Sequence, residues 1–92
     1  MIEHEDETNN AGQDWARERL RNFLDTHENL NQKRFAYVAG VSPATIGHFL
    51  NDGNTYPAFL RKIARAMTTS YEKLISPISE EEYRELQKVL EV

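Results

Sequence analysis

A chain of 92 residues has room for a single hydrophobic core and no cleft between domains. It has no cysteine, which excludes a disulfide framework and thiolate metal sites, and no apolar run of membrane-span or signal-peptide length, so a cytoplasmic protein is expected. A net charge of −4 argues against phosphate binding as a sum but not by distribution: residues 1–14 carry five acids and no base, 15–67 eight bases and four acids, and 68–92 three bases and six acids.

Residues 1–13, MIEHEDETNNAGQ, are acidic and nearly devoid of apolar side chains, which predicts a flexible N-terminal arm that cannot offset the entropy of ordering. The arm is either a solvated tail or a competitor of a phosphate-bearing partner for a basic face. A first helix is predicted from about Asp14 to His27, with Ala16, Leu20, Phe23 and Leu24 as its inward stripe. Arg17 and Arg21 fall one turn apart on its outer side, either reaching a phosphate or paired with Glu18 and Asp25 as a solubilising surface.

The stretch that follows, residues 31–51, NQKRFAYVAGVSPATIGHFLN, predicts two short helices and a tight turn. Asn31 is the N-cap of the first, Phe35, Ala36 and Ala39 share one face, and Gly40 stands where the helix needs a left-handed residue to stop. Ser42 caps the second and Pro43 opens it, where a missing N–H costs nothing. Ile46, Phe49 and Leu50 form its apolar side, leaving Ser42, Ala44, Thr45, His48 and Asn51 as a small polar face. Gly47, which costs about 0.5–1 kcal/mol relative to alanine inside a helix, permits close approach either to DNA or to a neighbouring helix.

Counted from Gln32, a small residue at the fifth place (Ala36), glycine at the ninth (Gly40) and apolar residues at the fifteenth (Ile46) and eighteenth (Phe49) resemble the helix-turn-helix. With its continuation to Leu74, the chain resembles the phage repressor and Cro type of that family, also called XRE-like or lambda-repressor-like, over Trp15 to Ile75. The resemblance implies an all-α, five-helix DNA-binding domain over residues 14–75, of bacterial or phage type, that inserts its third helix, about residues 43–51, into the major groove of an operator. It places Pro43, Ala44, Thr45 and His48 at base edges, and Gln32, Lys33, Arg34, Ser42, Asn51, Asn54 and Thr55 at phosphates. The chemistry suits these roles: Ala44 and Thr45 can touch a thymine methyl, and His48 can donate to guanine. Lys33 and Arg34 sit at the positive end of a helix dipole, disfavoured by about 0.3–1 kcal/mol each, which a phosphate would offset. Two departures stand out. Pro43 and Ala44 replace amide side chains common among relatives, and Asp52 stands where relatives often have glycine, so loop residues Asn54, Thr55 and Tyr56 and DNA shape take a larger share of recognition.

The segment NDGNTYP, residues 51–57, reads as a loop, after which Pro57 opens a helix with Phe59, Leu60, Ile63, Ala64 and Met67 inward and Arg61 and Arg65 outward. Ser70 caps a short fifth helix, Tyr71 to Ile75, ending at Ser76-Pro77. Residues 76–92 then predict an additional amphipathic helix with a Ser79/Glu82 capping box, a staple between Ile78 and Tyr83, and a stripe of Tyr83, Leu86, Val89 and Leu90. That stripe either packs on its own domain or meets a second subunit or another protein. The expectation is a regulator, a repressor by default, binding a palindromic operator as a homodimer, with a protein-interaction module such as an antitoxin as the alternative. No catalysis, metal or cofactor is expected: His4, His27 and His48 are not at ligand spacing, and Glu80-Glu81-Glu82 mark a helix start rather than one pocket.

Overall fold

Four side-chain caps cut the chain into its later helices. Asn31 Oδ1 accepts from the Arg34 N–H at 2.8 Å, Ser42 Oγ from Thr45 at 3.1 Å, Ser70 Oγ from Lys73 at 3.0 Å and Ser79 Oγ from Glu82 at 3.1 Å. Each satisfies one backbone donor that the first turn of a helix leaves unpaired. The computed structural model describes residues 10–91, with side chains described for 11–86. Over that range the chain is all-α, with six helices and no strand among the described residues: α1 (Asn10–Asp25), α2 (Gln32–Ala39), α3 (Pro43–Leu50), α4 (Pro57–Ala66), α5 (Tyr71–Leu74) and α6 (Glu80–Glu91).

The core draws one face from each of the first five. Ala16 and Leu20 of α1, Phe35 and Ala36 of α2, Ile46 and Phe49 of α3, Phe59, Leu60, Ile63 and Ala64 of α4 and Leu74 of α5 form one buried cluster, with Phe23, Leu24 and Met67 partly buried against it. Phe49 and Phe59 meet edge to face at 5.5 Å between ring centroids. Ala36 is fully buried, and Gly40 ends α2 at φ +76°, where any Cβ would be strained. The N–H groups of Gly40 and Val41 both return to the Ala36 carbonyl, at 2.9 and 3.0 Å.

Three expectations about α1 need correction. The helix begins at Asn10, so residues 10–13 of the expected arm are helical, while residues 1–9 lie outside the described residues. Its last helical residue is Asp25 rather than His27. Arg17 is not on an outer surface but 4 % exposed, drawn inward by backbone carbonyls at the end of α3. Arg19 is buried as well: its guanidinium donates to Leu74 O at 2.7 Å, to Ser76 O at 2.6 Å and to both carboxylate oxygens of Glu82 at 2.8 and 2.9 Å.

That last pair changes the expected capping box. Ser79 caps as foreseen, but the Glu82 carboxylate turns to Arg19 instead of back to the helix start, tying α6 to the body of the protein. Hydrogen bonding from Arg19 holds the Glu82 carboxyl below its ordinary range against the opposing effect of burial, and the charges of Arg19 and Lys73 add to the lowering. A carboxyl depressed on folding contributes stability above its unfolded pKa, which is lost as the pH falls through the folded value. Attachment of α6 should therefore be intact at neutral pH and weaken at acid pH below the ordinary glutamate range. Amide exchange in α6 should accelerate there, and Glu82→Gln should flatten that pH dependence; an unchanged acid profile in the variant would assign it to other carboxylates.

Candidate nucleic-acid interface

α3 is held by its apolar side, with Ile46 and Phe49 fully buried, which leaves the opposite side free. Ser42, Pro43, Ala44 and His48 are exposed, and Thr45 is half-buried with its hydroxyl 3.3 Å from Ser42 Oγ. A Cβ built on Gly47 meets nothing within 4 Å, so no neighbouring helix requires glycine there. The outer side of this turn is open space.

Beyond α3 the chain turns sharply. Asn51 ends the helix with its N–H on Gly47 O, and Asp52 takes φ +70°, a region an L-residue enters only at a cost that Asp and Asn bear best. An aspartate here thus adopts a backbone conformation that glycine enters most readily. Gly53 follows, its N–H on His48 O at 2.9 Å, and the His48 imidazole covers it so closely that a Cβ there would lie 2.2–2.5 Å from three ring atoms. Asn51, Asn54 and Tyr56 are exposed, Tyr56 at 67 %.

Thr55 corrects its expected role as a phosphate contact. It is 7 % exposed and its hydroxyl is buried without a protein partner, because α1 grips this residue by its backbone: Gln13 donates to Thr55 O at 3.1 Å and accepts from Thr55 N–H at 2.7 Å. Nothing in the sequence near Thr55 announces a partner 42 positions away.

Gln32, Lys33 and Arg34 are exposed at the start of α2 but serve two different hollows. Gln32 and Asn51 line one open groove of about 570 Å³ together with Arg21, which donates to Leu50 O. Lys33 and Arg34 line another, of about 610 Å³, beside Tyr37 and Val38, which are 88 % and 60 % exposed. These two apolar side chains were not singled out from the sequence, although their place off the Phe35/Ala36/Ala39 face was legible there. Of the expected partner-contact stripe, Tyr83 is 38 % exposed and Leu86 is half-buried, lining a groove with Asn22 and Phe23 of α1 and with Thr26 just beyond it; the side chains of Val89 and Leu90 lie outside the described residues.

Among the described residues, no three His, Asp or Glu side chains are grouped as metal ligands, and no helix is long and apolar enough to cross a membrane. Compared with known proteins, the chain matches no family model, no curated protein and no solved structure.

Proposed function

We propose that the protein is a cytoplasmic, sequence-specific DNA-binding regulator of the lambda-repressor-like helix-turn-helix type, a repressor by default, which lays α3 in the major groove of its operator as a homodimer. The observation that carries this reading is the exposed side of α3: short, uncharged groups on a helix anchored from behind by Ile46 and Phe49, with open space over Gly47. A major groove about 12 Å wide admits such a helix. His48 and Ala44 then meet base edges, with Pro43 and Thr45 beside them. Gln32 and Asn51, sharing one groove with Arg21, hold one phosphate region, and Lys33 and Arg34 hold another. The second subunit meets Tyr83 and the outer part of α6, since Leu86 is partly engaged with α1.

The alternative, a helix-turn-helix-fold interaction module such as an antitoxin, is favoured by one feature, the largely apolar hollow at Tyr37 and Val38. Selection from random duplexes separates the two. The regulator reading expects enrichment of a palindrome with half-sites about one turn of DNA apart; enrichment of a single half-site would remove the homodimer, and no enrichment would remove the DNA reading. Binding should weaken with salt by a log–log slope of about −0.9 per phosphate neutralised, and with so few cations on this face the slope should be shallow. On the selected duplex, His48→Ala should cost about 1–3 kcal/mol and little on random DNA, whereas Gln32→Ala should weaken every duplex alike. Equal losses on both duplexes for His48→Ala would take the histidine out of base readout.

A further inference from the structure

The least expected feature of the molecule is that the first turns of α1 reach across the core to hold the loop after α3. Arg17, 4 % exposed, donates from Nε to Phe49 O at 2.6 Å and from Nη2 to Gly53 O at 2.7 Å, while Nη1 is paired with Asp14 at 2.6 Å. Gln13, 2 % exposed, holds both backbone groups of Thr55. The segment between Phe49 and Thr55 thus shares four hydrogen bonds with two α1 side chains, three donated by Arg17 and Gln13 and one donated by Thr55 N–H to Gln13. Its own backbone supplies Gly53 N–H to His48 O and Asp52 N–H to Phe49 O, at 2.9 and 3.2 Å. Burying a guanidinium is expensive, and core stability alone is served as well by an apolar side chain. Arg17's two carbonyl partners both bracket Asp52, the residue at φ +70°, and the second belongs to the glycine under the His48 ring.

We propose that Arg17 and Gln13 are positioning residues for recognition: they fix the backbone of residues 49–55, and through Gly53 the imidazole of His48, so that His48 and Asn54 face one duplex in a single geometry. This rests on the DNA reading above and adds to it a clamp outside the recognition helix. Sequence discrimination depends on donors held to within fractions of an ångström, whereas phosphate attraction tolerates a looser loop. Loosening the clamp should therefore lower specificity while sparing non-specific affinity.

The test compares the selected duplex with a scrambled one, for wild type and three variants, at a temperature where each is fully folded, alongside amide exchange of Gly53 and Thr55. Gln13→Met keeps the side chain's length and removes both bonds to Thr55; Arg17→Lys keeps the charge but not the planar fork that spans two carbonyls. Both should lower the selected-to-scrambled affinity ratio by about tenfold, leave the scrambled duplex within about twofold, and speed exchange at Thr55 or Gly53 respectively. Gly53→Ala, whose Cβ displaces the His48 ring while leaving the Gln13 bonds to Thr55 in place, should lower the ratio as His48→Ala does while Thr55 stays protected. Should Arg17→Lys fail to fold, Gln13→Met decides alone. An unchanged ratio despite faster exchange, or equal weakening of both duplexes, overturns the proposal and leaves the clamp a purely structural one. A wild-type protein that enriches no duplex overturns the DNA reading, and this proposal with it, before any variant is compared.

Discussion

Phe49→Ala is expected to lower the unfolding free energy by about 3–5 kcal/mol, the range for emptying a fully buried aromatic site. Phe49 is 0 % exposed, meets Phe59 edge to face, and lies 4.9 Å from the Arg17 guanidinium, so one truncation removes a core ring, an aromatic pair and a cation–π contact. Small domains have only about 5–15 kcal/mol in hand, so the variant should be largely unfolded at modest urea concentrations and its α3 should lose its seat first. Urea denaturation followed by far-UV circular dichroism checks this. A loss under about 1 kcal/mol would mean that α3 is held by something other than its buried ring.

Arg19→Met should act on a different part of the molecule. The substitution keeps most of the apolar stem but removes the bonds to Leu74 O, Ser76 O and the Glu82 carboxylate. Breaking a buried pair by deleting one partner costs about 3–5 kcal/mol; with Glu82 24 % exposed, the lower end applies. A helix of 12 residues is marginal by itself in water, so α6 should melt while the cluster of α1 to α5 remains folded. Loss of helical dichroism and fast exchange confined to residues after Ser79 would be the signature. If homodimerisation runs through α6, sedimentation should also show the monomer. Retention of slow exchange in α6 would sink the idea that Arg19 is its anchor.

Both variants probe contacts that sequence patterns treat very differently. Burial of Phe49 was legible in the three- and four-residue spacing of Ile46, Phe49 and Leu50. Burial of Arg19 was not legible, because its flank of α1 reads as charged surface until α6 and the end of α5 arrive. The same holds for Arg17, whose one-turn spacing from Arg21 suggested a shared outer face. In the folded chain the two arginines divide: Arg21 stays exposed beside the groove of Gln32 and Asn51, and Arg17 is pulled under the end of α3. The Ser79/Glu82 pattern was half informative. The serine serves its own helix, whereas the glutamate had a stronger, charge-assisted partner elsewhere.

From α2 onward, the sequence by itself determined where the helices start and which apolar sides they bury. Asn31, Ser42 and Ser70 cap, Gly40 turns and Pro43 and Pro57 open helices through bonds and dihedral limits that act within a few residues, and the apolar stripes require only local periodicity. Tertiary structure alone decided where Gln13, Arg17, Arg19, Thr55 and Glu82 point. The partners that decide this lie 32 to 63 positions away, and most are backbone groups, which carry no residue identity for a pattern to register. A long polar side chain at the edge of a helix face goes to solvent or inward according to whether unpaired carbonyls come within its reach, and only the assembled fold brings them there.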